Sequence, residues 1–138
     1  MKHVLDSSVA LKWALPEPDT AKALKLRADY RNGIHDLISP DFFPLEAAHA
    51  LTRAERQRRI SPGAGWGLWQ KIMSDCPAMV PWTQLMPRAF DLSSKMRIGV
   101  YDCVYIALAE TEQCRVITAD QRLLLTFPGQ TIALGAVS

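Results

Sequence analysis

The chain has 138 residues, of which 49% are hydrophobic and 22% charged, with a formal net charge of +2. This composition excludes a disordered chain, and the length predicts one globular domain over residues 1–138. The small net charge excludes a protein that binds nucleic acid by bulk charge alone, although a local basic patch is compatible with it. Three cysteines without CxxC spacing, no signal peptide and no long apolar run predict a cytoplasmic protein without membrane association.

The first third of the chain alternates between short apolar and helical segments. A strand is expected at residues 2–6, followed by a short helix that Ser7 or Ser8 can cap and that ends before the next proline. A longer helix at about residues 20–32 leads to a second strand at residues 36–39.

The same alternation continues to the end of the chain. Asp41 can cap a helix that runs to about residue 59, and a Trp-rich helix follows and ends near Asp75. The remaining elements are expected in this order: a strand at residues 78–81, helices at about 84–97 and 101–113, a strand at 115–118, a short helix capped by Asp120, and an edge strand at 131–134.

Strands that alternate with helices predict an α/β fold, a three-layer sandwich with a mainly parallel central sheet of four to five strands flanked by helices. Ligands of such open sheets bind outside the carboxyl ends of the strands. The residues that directly follow the strands are therefore the first candidates for a functional site.

Four carboxylates stand near the ends of predicted elements: Asp6, Glu46, Asp102 and Asp120. Each has an ordinary explanation, because helix starts favour aspartate and Glu46 can face solvent. If the fold brings them together, however, two carboxylates ~4 Å apart repel by about 4 kcal/mol at an effective dielectric near 20. Such a cluster needs protonation or a cation, and oxygen ligands without His or Cys favour Mg²⁺ or Mn²⁺. A hard divalent ion at a sheet edge is suited to phosphate-ester chemistry.

Four segments, in this order along the chain, resemble the PIN-domain ribonucleases, and most closely the VapC toxins of bacterial toxin–antitoxin pairs. Any one of these motifs is weak by itself, but the four in order are specific and span nearly the whole chain. They lie at residues 4–13, 46–51, 101–110 and 118–123.

The resemblance implies a PIN-like fold and a Mg²⁺- or Mn²⁺-dependent endoribonuclease, usually a homodimer, that a cognate antitoxin silences. The metal-binding and catalytic acids of the family fall on Asp6, Glu46, Asp102 and Asp120, with Ser7 and Thr118 as their hydroxyl neighbours. At His49 many relatives carry Asn, which leaves the ligand set intact but puts any supporting role of that position in doubt.

The helix predicted from Asp41 carries two stripes of different character. One is apolar, and the other joins Glu46 and His49 to Arg53 and Arg56. The arginines either bind RNA phosphates on the way to the metal or form a solvated helix end whose cations suit the helix dipole.

Histidines and tryptophans outside these motifs have mainly structural interpretations. His3 and His35 lack metal-ligand spacing, and Trp13 is expected in the core. Trp66 and Trp69 form a helical stripe that indicates core packing, with a dimer or antitoxin surface as the alternative.

Other functions fit less well. A phosphoacceptor receiver domain needs paired acids after the first strand and a late lysine, but two serines follow Asp6 and no lysine follows Lys95. A phosphatase with an aspartyl nucleophile needs a DxD motif at Asp6, which is absent. The remaining alternative to an endoribonuclease is a non-catalytic PIN-like RNA- or protein-binding module. Mn²⁺ binding distinguishes the two, because a degenerate relative should lose carboxylates that repel one another.

Overall fold

A computed structural model describes all 138 residues. At its centre lies a five-stranded sheet in the order β3–β2–β1–β4–β5, and every neighbouring pair is parallel. The prediction of a mainly parallel sheet of four to five strands is confirmed. The strands are β1 (Lys2–Leu5), β2 (Asp36–Pro40), β3 (Ala78–Val80), β4 (Val116–Thr118) and β5 (Thr131–Ala133).

Seven α-helices flank this sheet, and their bounds lie close to the predicted segments. They are α1 (Ser7–Ala10), α2 (Thr20–Arg31), α3 (Phe43–Arg56), α4 (Ala64–Met73), α5 (Met86–Met96), α6 (Val100–Thr111) and α7 (Gln121–Thr126). Short 3-10 helices occur at Leu11–Trp13, Trp82–Leu85 and Leu134–Ala136. No helix is both long enough and apolar enough to pass through a membrane.

Side-chain alternation along the strands divides the core between the two faces of the sheet. Val4 packs into a cluster with α5, α6 and α7, whereas the next residue, Leu5, packs with α1 to α4 on the opposite face. The predicted three-layer sandwich is therefore present. Helix α6 is buried over seven consecutive residues, from Cys103 to Ala109, which fixes its first turn against the sheet.

Helix α3 has the apolar stripe that its sequence predicts. Phe43, Ala47, Leu51 and Ala54 are all buried. Its predicted cap is wrong, however, because the helix begins at Phe43 and the carboxylate of Asp41 instead accepts a hydrogen bond from the backbone N–H of Trp82. This contact ties the end of β2 to the segment that follows β3.

The Trp-rich helix α4 is rotated relative to the predicted core stripe. Gly65 and Ile72 are its buried residues, and the Gly65 N–H donates to Glu55 in α3 at 2.8 Å. A side chain at Gly65 would collide with that carboxylate, so the glycine lets the two helices approach. Trp66 is consequently turned outward and is 65% exposed, contrary to the core interpretation, while its ring stacks on Trp69.

The remaining aromatic residues have the structural roles expected for them. Trp13 is buried, and its indole N–H donates to the carbonyl of Ala23 at 2.9 Å. His3 and His35 are buried next to each other with their rings edge to face, and His35 contacts the Ser138 carbonyl oxygen.

Candidate active site

The carboxyl ends of the two central strands carry the first part of the site. Asp6 follows β1, Thr118 ends β4, and Asp120 stands two residues later at the start of α7. Hydrogen bonding of the sheet continues through Asp6, whose N–H donates to the Ile117 carbonyl at 3.1 Å. The position of Asp6 is therefore fixed by the backbone of the adjacent strand.

Asp6 is only 6% exposed, and its side-chain partners are neutral hydroxyls. Its Oδ2 accepts hydrogen bonds from Ser8 at 2.7 Å and from Thr118 at 2.8 Å. Burial raises the pKa of this carboxyl and the nearby charge of Asp120 raises it further, while the two hydroxyl groups act in the opposite direction. The environment thus disfavours a negative charge unless a cation is close.

Ser7 and Ser8 do not cap α1 as the sequence suggests. Both lie inside the helix, and Asp6 occupies the N-cap position without a side-chain cap bond. The two hydroxyls serve the buried acids instead, because Ser8 bonds to Asp6 and Ser7 lies 3.4 Å from a carboxylate oxygen of Glu46. An unsatisfied buried carboxylate costs more than an unfilled cap on an exposed helix end.

Glu46 projects from the first turns of α3 towards α6. Its Oε1 accepts a hydrogen bond of 2.6 Å from the hydroxyl of Tyr105, and the Ser7 contact falls on the same oxygen. Burial raises the pKa of Glu46 to about 7; the Tyr105 hydrogen bond lowers it, and the charges of Asp6 and Asp102 raise it again. Tyr105 itself is fully buried, so this contact anchors one oxygen of Glu46 rigidly.

Asp102 lies in the first turn of α6 and makes an ion pair with Arg122 of α7, with 3.3 Å between Oδ2 and Nη2. Burial raises its pKa to about 6, the charges of Asp6 and Asp120 contribute in the same direction, and Arg122 opposes them. Arg122 therefore neutralises part of the negative charge of the site in the absence of any other cation.

Asp120 caps α7, as predicted. Its Oδ1 accepts from the backbone N–H groups of Arg122 and Leu123 at 2.8 and 3.3 Å. The N–H of Asp120 donates to the Thr118 hydroxyl oxygen at 3.0 Å, and that hydroxyl donates to Asp6. Thr118 thereby links two of the four acids, in agreement with its predicted place beside them.

A cavity of about 580 Å³ opens next to these acids. Of the four acids only Glu46 lines it, at the end where Ser7 also lies. No three His, Cys, Asp or Glu side chains lie close enough together to form a preformed metal cluster. Asp102 is held by Arg122 and Asp120 by the start of α7, which accounts for their separation.

The basic stripe on α3 divides at its second turn. Arg53 lines the cavity, and its Nη2 lies 3.3 Å from Nε2 of His49, which lines the cavity as well. Arg56 does not line the cavity, and its guanidinium donates to Thr52 on a different side of the helix. The structure thus brings Arg53, but not Arg56, to the space beside Glu46.

Tyr105 is the residue of this site that sequence reasoning missed. It joins α6 to α3 across 59 sequence positions, and only its spacing of three residues from Asp102 hints that it shares a helix face with an acid. Its ring packs edge to face against Phe42 with 5.6 Å between the centroids.

Comparison with known proteins agrees with this geometry. The family model for the PIN domain matches residues 3–126, so the chain belongs to the PIN domain family. A curated relative, Ribonuclease VapC3 of Pyrobaculum aerophilum, is 25% identical over 130 residues, which cover 93% of this chain and 96% of the relative.

Two solved structures have the same fold. PAE2754 from Pyrobaculum aerophilum gives a TM-score of 0.70 at 20% identity, with 98% of this chain and 90% of that chain covered. A chain of VapBC2 from Rickettsia felis, crystallised with a DNA fragment from their promoter, gives 0.66 at 11% identity, with 96% and 98% covered. These likenesses confirm the predicted PIN-like fold.

Proposed function

We propose that this protein is a metal-dependent endoribonuclease, the toxin of a VapBC-type toxin–antitoxin module, that hydrolyses RNA phosphodiester bonds. The single observation that carries the proposal is the gathering of Asp6, Glu46, Asp102 and Asp120 at one edge of the sheet, where the charges of these acids raise one another's pKa. The likeness to Ribonuclease VapC3 over nearly the full length of both chains supports the ribonuclease assignment.

The residues at this edge fit a hard divalent cation. All four candidate ligands are carboxylates, hydroxyl groups surround two of them, and Arg122 is the cation paired with one. Mg²⁺ or Mn²⁺ would be held by Asp6, Glu46, Asp102 and Asp120, and it would supply Lewis-acid polarisation of the phosphoryl group and an activated water.

Other side chains of the site orient the acids and receive the substrate. Ser8 and Thr118 hold Asp6, while Ser7 and Tyr105 hold one oxygen of Glu46 and leave the other oxygen directed away from those two bonds. Holding ligands by hydrogen bonds from neighbouring groups limits the reorganisation needed when a charged substrate arrives. Arg53, at the far end of the cavity, is placed to bind an RNA phosphate.

We further propose a cytoplasmic protein that forms a homodimer and binds a cognate antitoxin. VapBC2 of Rickettsia felis was crystallised as a toxin–antitoxin pair with promoter DNA, which supports an antitoxin partner for a chain of this fold. Several large apolar side chains remain exposed and are available for protein contacts, among them Leu45, Trp66, Phe90 and Leu125.

Cleavage of RNA with and without metal tests the proposal directly. Wild type should cleave single-stranded RNA in Mg²⁺ or Mn²⁺ and not in EDTA, and Asp6→Asn should be inactive in both. Calorimetric titration with Mn²⁺ should show binding to wild type and weakened binding to Asp6→Asn. A chain that neither binds Mn²⁺ nor cleaves RNA is instead a non-catalytic PIN-like binding module.

A further inference from the structure

The cavity beside Glu46 has three chemically different parts. Glu46 and Ser7 form the end nearest the acids, and His49 and Arg53 form the opposite end. The wall between them is apolar and aromatic, formed by Phe42, Leu45, Ala50 and Tyr101. A ligand that fills this space meets a site for a cation first, then an aromatic surface, then a guanidinium group.

Tyr101 is the exposed part of an ordered aromatic wall. Its ring is 59% exposed and packs edge to face against Phe42, with 5.2 Å between the centroids and 77° between the planes. Phe42 in turn packs edge to face against Tyr105, whose hydroxyl holds Glu46. In an edge-to-face pair at least one face of each ring stays uncovered by the other, so Phe42 leaves a face of Tyr101 free for stacking.

Charge along the cavity matches one nucleotide step. Glu46 and Arg53 lie on the same face of α3, and the Arg53 guanidinium folds back to His49, about one helical turn from Glu46. A phosphate near the acids and a second phosphate at Arg53 would be neighbours along a strand. The base between them would then face the aromatic wall.

We propose that this cavity is a subsite for one unpaired nucleobase, which stacks on Tyr101 while an adjacent phosphate binds Arg53. The inference rests on the proposed RNA-cleaving function, because it assigns the substrate a direction along α3. Single-stranded bases are commonly held on exposed aromatic rings next to cationic groups, and such stacking tolerates different bases. Tyr101 therefore selects unpaired over paired RNA.

Binding of abasic oligonucleotides tests the subsite independently of catalysis. The affinity of the Asp6→Asn protein is measured by fluorescence anisotropy for short single-stranded RNAs, each lacking one base at a successive position. We expect one position where the missing base weakens binding about tenfold or more, as expected for the removal of one base–aromatic stack. Adding Tyr101→Ala should weaken binding of intact RNA by a similar factor and abolish the difference at that position.

Two further variants separate stacking from a general loss of structure. Tyr101→Phe retains a ring and should retain the abasic effect, and Phe90→Ala removes an aromatic residue with similar exposure outside the cavity and should leave it unchanged. If no position shows an abasic effect, or if the effect persists in Tyr101→Ala, the subsite is wrong and the cavity belongs to a protein partner. An abasic effect without any RNA cleavage by wild type would preserve the subsite but contradict the proposed nuclease.

Discussion

Asp6 and Glu46 are two buried acids whose direct side-chain partners are hydroxyl groups. Hydroxyls satisfy the hydrogen bonds of a carboxylate without neutralising its charge, so the ionised form remains costly in a buried place. Structural acids usually pair with a guanidinium or ammonium group, as Asp75 does with Arg31 in this chain. The contrast marks Asp6 and Glu46 as acids kept for an external cation.

Asp6→Asn should abolish metal-dependent RNA cleavage without unfolding the chain. The amide oxygen of Asn can still accept the hydrogen bonds from Ser8 and Thr118, and the substitution removes repulsion with Asp120. In EDTA the melting temperature should therefore hold or rise, as measured by circular dichroism. Asp91→Asn, on an exposed ion-pair network, is the matched control and should keep activity. A marked fall in melting temperature of Asp6→Asn in EDTA would show that Asp6 is structural.

Tyr105→Phe should impair the site through Glu46 rather than through the fold. The change removes the hydroxyl that lowers the pKa of Glu46 but keeps the ring against Phe42. We expect weaker Mn²⁺ binding and a pH profile of cleavage displaced to higher pH. Tyr30→Phe removes a comparable hydroxyl, bonded to the Cys76 carbonyl far from the acids, and should leave both measurements unchanged. An unaltered profile in Tyr105→Phe would mean that Glu46 does not depend on this contact.

At the scale of elements, α3 serves the core and the site with different faces. Its apolar stripe anchors it on the sheet, while Glu46, His49 and Arg53 line the cavity one to two turns apart. A substitution on one face therefore leaves the other largely intact, which makes α3 suitable for separating binding from stability.

Removal of the α3 arginines should weaken RNA binding in a salt-dependent way. Arg53→Ala should flatten the logarithmic salt dependence of affinity by about 0.7 for each phosphate of a single strand that the variant no longer binds. Arg56→Ala should have a smaller effect, because Arg56 points to Thr52, and the double variant should show the sum. Arg115→Ala, exposed at the opposite edge of the sheet, is the control. Equal slopes for all variants would make both arginines a solvated helix end.

Local patterns were enough to predict the elements and the position of the acids. The parallel sheet, the buried stripe of α3 and the Asp120 cap follow from residue periodicity and the preference of aspartate for helix starts. Contacts between distant elements were not predictable in this way. The bond from Tyr105 to Glu46 and the outward rotation of Trp66 depend on how α3 meets α6 and α4, which no local pattern encodes.

At the scale of the whole molecule, the acids make stability depend on pH in an unusual direction. Their folded pKa values are raised, to about 7 for Glu46 and about 6 for Asp102, from ordinary values of 4.5 and 3.8. As pH rises above the ordinary values, the unfolded chain ionises first and the folded state loses relative stability. The loss is complete only above the folded pKa values, so it spans about pH 4 to 7.

Urea unfolding in EDTA should accordingly show a Glu46→Gln protein that gains on wild type as pH rises from 4 to 8. At about 1.4 kcal/mol per pKa unit, the gain attributable to Glu46 is on the order of 3 kcal/mol. Mn²⁺ should remove the difference by stabilising wild type above pH 6. A constant difference between the two proteins across this range would contradict the raised pKa of Glu46.

The central position of β1 also determines when the site can exist during folding. β1 lies between β2 and β4, and the hydrogen bond from Thr118 to Asp6 closes a loop of 112 positions. Contacts so distant along the chain form late, because their loop-closure entropy must be met before other contacts compensate. A nascent or truncated chain that stops before β4 leaves Asp6 without both the strand and the hydroxyl that hold it. Maturation of the acidic edge is therefore an all-or-none event, coupled to docking of the last quarter of the chain.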